Sequence, residues 1–64
     1  MNRLKEMRER AGLTQKQVAE KIGTQWQVYQ RYEYGKTDPS VSTALRIAKA
    51  LSTTVEVLYE EDKR

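Results

Sequence analysis

Gln27, Gln30 and Arg31, with Trp26 and Tyr34 around them, place two amides, a guanidinium and two large rings within a short stretch in the middle of the chain. An amide carries a donor and an acceptor side by side, and a guanidinium carries five donors in one plane, so these groups recognise other surfaces by geometry. Groups that break bonds are missing. There is no cysteine and no histidine, which removes disulfides, thiolate metal sites, thiol nucleophiles and the commonest acid/base side chain together. Glu6, Glu9, Glu20 and Glu33 are spread among lysines and arginines with no paired nucleophile and base. The composition therefore points away from an enzyme, and no metal, cofactor or small-molecule ligand is implied.

The elements that must position these groups lie between Thr14 and Gly35. Thr14 with Gln17, and Thr24 with Gln27, have the T-x-x-Q spacing of a capping box, which predicts two helix starts. Gly23 follows Ile22, the last apolar position of the first of these helices, where a residue with positive φ ends a helix without a Cβ clash. The forecast is a helix over Gln15 to Ile22, a sharp turn, and a helix from Gln25 to about Tyr34. Val18, Ala19 and Ile22 share one face of the first helix, and Tyr29 and Tyr32 are the inward pair of the second. At about 100° per residue, with Tyr29 inward, Gln27, Arg31 and Tyr34 fall on the opposite side and Trp26 and Gln30 on the flank.

The flanking segments read as braces. Leu4, Met7 and Ala11 form an i, i+3, i+7 stripe over Asn2 to Ala11, stopped by Gly12, and Leu13 is placed to staple onto Val18. Pro39 forbids continuation of the central helix. Ser40 is the expected cap of a fourth helix reaching Leu51, with Val41, Ala44, Leu45, Ala48 and Leu51 inward and Ile47 at the border. Thr53 or Thr54 caps a last short helix from Val55 to about Tyr59, with Val55 and Leu58 inward. Residues 1–64 read as one domain, ordered over 1–59, with 60–64 expected to fray because that tail has no apolar residue to bury. A chain of 64 residues has no room for a second, catalytic lobe. No apolar run nears the ~20 residues of a membrane span and no hydrophobic region follows Asn2, Arg3 and Lys5, so a cytoplasmic location without a membrane partner is expected. The net charge is +3, but residues 1–36 hold eight Lys/Arg against four Glu, while the remainder holds four against five acids. A basic half that coincides with an exposed helix pair favours a polyanionic partner.

This order of features resembles the Cro/repressor-type (lambda-repressor-like, XRE) helix-turn-helix family over Leu4 to Leu58. The resemblance is carried by Gly12-Leu13-Thr14-Gln15, by Val18 to Gly23, by Arg31-Tyr32-Glu33-x-Gly35-Lys36, by Pro39-Ser40 and by Ile47 to Leu51. In the window beginning at Gln15, Ala19, Gly23, Tyr29 and Tyr32 occupy the family's packing positions. It implies an all-α, five-helix bundle whose third helix lies in the major groove of double-stranded DNA while the second crosses above the backbone.

Carried over position by position, the resemblance implies base reading by Gln25, Trp26, Gln27, Gln30 and Arg31. Phosphate contacts are implied for Gln15, Lys16, Tyr34, Lys36 and Thr37, with Arg3 and Lys5 as weaker candidates. Arg8 and Glu33 resemble a structural ion pair tying the first helix to the end of the third. The chemistry agrees: glutamine matches adenine N6/N7, arginine matches guanine O6/N7, and an aromatic edge packs on the thymine methyl. A homodimer on a palindromic operator is implied, with Val57 and Tyr59 as dimer contacts, acting as a repressor at the nucleoid. The alternative is a protein-interaction module of the same fold that uses the third or last helix, for which Trp26 and the tyrosines would serve as hot spots. Four positions depart from the family pattern. Trp26 and Tyr34 are unusually large, Tyr29 needs a partner for its hydroxyl, and Ser52 stands where glycine usually ends the fourth helix.

Overall fold

The computed structural model describes residues 2–60. Five helices follow one another: α1 (Leu4–Arg10), α2 (Gln15–Ile22), α3 (Trp26–Tyr34), α4 (Val41–Ala50) and α5 (Val55–Leu58), with no strand among the described residues. The all-α, five-helix expectation is met. None of these helices is long and apolar enough to cross a membrane. The expected fraying of the tail falls mostly on residues 61–64, outside the described residues.

The core is built from one stripe of each helix. Leu4, Val18, Ala19, Ile22, Tyr29, Ile47, Ala48, Leu51 and Leu58 form a single buried cluster, with Met7, Leu13 and Tyr32 packed on its edge. Tyr32 meets Tyr29 edge to face, with ring centroids 6.5 Å apart and planes at 90°, a favoured arrangement of ring quadrupoles. The N-terminal segment is sewn on by polar contacts. The Asn2 side chain accepts from the Leu4 amide at 3.0 Å and donates to the Tyr32 carbonyl at 2.8 Å, while the Arg3 amide donates to the Leu58 carbonyl at 2.8 Å.

Local chemistry decides the helix ends, with one exception. The Thr14 hydroxyl accepts from the Gln17 amide at 3.1 Å and the Gln17 side chain accepts from the Thr14 amide at 2.8 Å, completing the capping box. The Thr24 box does not form. The Thr24 amide is already committed to the Ala19 carbonyl at 2.9 Å, closing the Schellman pattern around left-handed Gly23 (φ 78°), so α3 starts from an extended Gln25 with no side-chain cap. The turn therefore takes one more residue than the spacing predicted. A Cβ at Gly23 would meet nothing within 4 Å, so its positive φ and not crowding calls for glycine there.

Ser52 holds the same left-handed position after α4, at φ 56°, with its own amide bonded to the Lys49 carbonyl and the Thr53 amide bonded to the Ala48 carbonyl. An L-residue there carries about 1 kcal/mol of strain. Ser52→Gly is therefore expected to raise the melting temperature by a few degrees, since glycine's larger unfolded-state entropy offsets only part of the relief. An unchanged or lower value in a thermal scan would contradict this.

The face of α4 differs from the expected one. Ile47, placed at the border by the sequence, is fully buried, whereas Val41 is 79% and Leu45 58% exposed. Two apolar stripes of helical spacing overlap on this helix. Ala44, Ile47, Ala48 and Leu51 become the inner one: α4 packs on α2, with Ile47, Ala48 and Leu51 in the same buried cluster as Val18, Ala19 and Ile22. Ala11, the last member of the α1 stripe, is likewise exposed, as the C-cap beyond Arg10.

Candidate nucleic-acid interface

The outer face of α3 is polar without being acidic. Gln27 and Arg31 are exposed, Tyr34 is 63% exposed, and Gln30 lies half-buried beside them. Gln25, just before the helix, is exposed as well. The only carboxylate of α3, Glu33, is turned inward, with its side chain 1% exposed. Exposed Lys16 on α2 and exposed Lys36 and Thr37 after α3 surround this face. The surface offers hydrogen-bond donors, amide acceptors and positive charge, with no exposed acid on α3 to repel an anion.

Beneath that face, Glu33 gathers donors from two other helices. Arg8 reaches it from α1 through Nε and through Nη2 at 3.4 Å. The Gln15 side-chain amide, at the start of α2, donates to Glu33 Oε1 at 3.0 Å. Arg8 Nη1 also donates to the Leu13 carbonyl at 2.9 Å, so the same guanidinium holds the α1–α2 turn. Burial alone would raise the Glu33 pKa, but the bonds from Arg8 and Gln15 outweigh it and keep the group below the ordinary glutamate value. The bond to Glu33 raises Arg8 in turn. Both partners are thus charged at neutral pH.

Tyr29 lies beside this cluster, completely buried. Burial first, and the adjacent Glu33 carboxylate second, push its hydroxyl upward in pKa. The hydroxyl was expected to find a partner or a path to solvent; it is closed off from solvent and faces the Glu33 carboxylate without completing a hydrogen bond of ordinary geometry.

Trp26 opens α3 with its ring packed half into the core. The Lys16 ammonium sits 5.8 Å from the ring centroid, within cation–π range. The indole therefore serves as a wall between α2 and α3 that holds a lysine at the rim of the polar face. Arg3 is occupied by Glu6 at 3.0 Å and Glu60 at 2.9 Å, so less of its charge is left for a partner than Lys5, exposed on α1, retains.

Val41 and Leu45 of α4 and Val55 and Tyr59 at α5 line an apolar groove of about 520 Å³, rimmed by Asp38 and Glu56. Tyr59 packs on the core from this side, while Val57 is half-buried and not part of the lining. The sequence reading missed Val41 and Leu45 as surface residues because both fit a helical apolar stripe. Their i, i+4 pairing, left over once Ile47 is taken into the core, is the signal that could have separated them. The bonds linking Gln15 to α3 were also missed, since contacts between residues far apart in sequence leave no local trace.

Residues 4–58 match the family model described as helix-turn-helix. The chain is 39% identical over 64 residues to the uncharacterized HTH-type transcriptional regulator MJ0272 of Methanocaldococcus jannaschii, covering 97% of each chain. It is 36% identical over 58 residues to the uncharacterized HTH-type transcriptional regulator YgzD of Bacillus subtilis, covering 91% of this chain and 88% of that one. The HTH-type transcriptional regulator ImmR of the same organism is 34% identical over 61 residues, which are 95% of this chain and 48% of ImmR. With α2 and α3 forming the motif and the match spanning all five helices, the chain is a member of the XRE-type helix-turn-helix family of DNA-binding transcriptional regulators and is not an enzyme.

Proposed function

We propose that the chain binds double-stranded DNA sequence-specifically as a small transcriptional repressor, seating α3 in the major groove and excluding polymerase from an operator. One observation carries this reading: α3 turns its only carboxylate into an internal ion pair and presents Gln27, Gln30 and Arg31 outward. Gln27 and Arg31 are the central base readers, with Gln25, Trp26 and Gln30 beside them. Phosphates are held by Lys16, Tyr34, Lys36 and Thr37 around the rim, and by the second N–H of Gln15 with the free amides at the start of α2. Trp26 supports a protein-docking role less than the sequence suggested, because its ring lies partly in the core and faces Lys16. A DNA target would place the chain at the nucleoid.

A single domain of this size covers too little DNA for tight specific binding, so the operator is read by a twofold dimer on half-sites about 34 Å apart. The groove of Val41, Leu45, Val55 and Tyr59 supports a second copy as its occupant. A self-complementary apolar patch is what a twofold interface uses. Val57 stands next to it on α5.

Titration of fluorescent duplexes tests the reading, with Trp26 emission as an internal probe. Binding is expected at low salt and should weaken by about a thousandfold between 50 and 200 mM salt. Gln27→Ala and Arg31→Ala should each lose about 1 to 3 kcal/mol on the selected site and relax base preference. Absence of binding at low salt refutes DNA recognition, and equal loss on selected and random duplex would restrict these two residues to the backbone.

A further inference from the structure

The ends of α1, α2 and α4 meet at one open cleft, and each brings a cation to it. Arg10 of α1 and Lys21 of α2 stand around a hollow of about 490 Å³ floored by Met7, Leu13 and Leu51. Lys21 also borders a second hollow, of about 410 Å³, with Arg46 and Lys49 of α4, so the two run together across Lys21 and Ala50. No carboxylate lines either one. All four cations are exposed. Among the described residues Lys21, Arg46 and Lys49 enter no ion pair, and Arg10 only approaches Glu6 at 3.9 Å. Helix capping does not account for the cluster, because the last carbonyls of the three helices are already taken by backbone amides, those of Leu13, Thr24 and Thr53 among them. The helix dipole favours a cation in each last turn, but it explains neither Arg46, a turn earlier in α4, nor an apolar floor between the charges.

We propose that this cleft docks an extended acidic segment of a partner protein, which seats an apolar side chain on Met7, Leu13 and Leu51 and sets its carboxylates against Arg10, Lys21, Arg46 and Lys49. Charge complementarity selects an acidic partner. The floor selects a peptide over a nucleic acid, since a phosphate backbone offers charge with no apolar group to bury. An open cleft also suits a chain whose contacts are spread along it, whereas a small anion needs a pocket that encloses most of its surface. The cleft lies away from the candidate DNA face. Five steps of about 100° carry Lys21 to the far side of α2 from Lys16, and Arg46 and Lys49 stand in the last two turns of α4 while Lys36 and Thr37 precede its start. A partner held here leaves α3 uncovered. The docking therefore stands whether or not α3 binds DNA.

Titration of a fluorescein-labelled peptide of alternating leucine and glutamate into the full chain tests the docking, with a peptide of glutamates alone as the control. Backbone amide NMR signals of Met7, Leu13, Lys21 and Ala50 should shift, and those of Gln27 to Arg31 should stay in place. Neutralising two of the exposed cations, Lys21→Gln together with Lys49→Gln, should weaken the mixed peptide about tenfold and leave the melting temperature unchanged. The Arg31→Ala variant should bind it as the wild type does. The glutamate peptide should bind about tenfold more weakly than the mixed one, because it leaves the floor of the cleft wet. Absence of peptide binding at low salt, shifts confined to α3, or equal affinity for the two peptides each overturns the proposal. Shifts of the cleft signals by a random duplex and not by the peptide would assign the cleft to nucleic acid and overturn it as well.

Discussion

Glu33→Ala is expected to cost about 3 to 5 kcal/mol of folding stability. Little of the acid is accessible to water and its arginine partner is 12% exposed, so removing the carboxylate leaves a guanidinium in a site too dry to solvate it. Gln15 loses its acceptor in the same step. Arg8→Ala is expected to be comparably severe, because it strands the more deeply buried charge and frees the α1–α2 turn from the bond to the Leu13 carbonyl. A domain of this size has only a few kcal/mol to lose, so either variant should be largely unfolded near its working temperature. The double variant Arg8→Met with Glu33→Leu should recover much of the loss, since it leaves no unpaired charge. Chemical denaturation of the four proteins measures all of these, and single variants within about 1 kcal/mol of wild type would contradict the role assigned to the pair.

The same pair sets a direction with pH. The folded pKa of Glu33 is depressed below its ordinary 4.5. Its contribution to stability is therefore complete above the unfolded value and is lost as pH falls through the folded one. Melting temperature should hold steady from neutral pH down to the ordinary carboxylate range and drop below it.

Leu45→Glu is expected to leave the fold intact and to abolish pairing of two copies on DNA. Leu45 is 58% exposed in one copy, so a charge there costs the isolated domain within about 0.5 kcal/mol. Across a twofold axis the change is doubled. Each copy would press a carboxylate into the apolar groove of Val41, Val55 and Tyr59, beside the acidic rim of Asp38 and Glu56. Desolvating those charges without partners should weaken binding to a two-half-site operator by roughly a hundredfold, about 3 kcal/mol, while a single half-site is bound as before. Sedimentation and duplex titration separate the two effects. Full-site binding equal to wild type would exclude this groove as the dimer surface and return attention to Val57.

What was legible from the amino acids follows the range of the forces involved. Thr14 with Gln17, Gly23, Gly35 and Ser40 act on neighbours within a turn, so their spacing sufficed to place α2, the end of α3 and the start of α4. Thr24 and Gln27 show the limit of the same rule. Their spacing is equally good, but the Thr24 amide serves the end of α2, and competition between two local motifs for one donor is settled only when both helices exist.

The central stretch from Gln25 to Tyr34 was identifiable as a recognition surface because the types of its side chains and a helical period are properties of sequence. Glu33 was recognisable as the partner of Arg8 only through resemblance to a family. Its further hold on Gln15, and through Gln15 on Gln30, comes from bringing α1, α2 and α3 within hydrogen-bond distance of one carboxylate. On α4, periodicity allowed two overlapping stripes, and packing against α2 chose the one with Ile47, Ala48 and Leu51, leaving Val41 and Leu45 on the surface. The sequence by itself determined the helices and the chemistry they carry. Tertiary packing alone decided which apolar residues stay outside and which way the amides point, because both depend on neighbours distant along the chain.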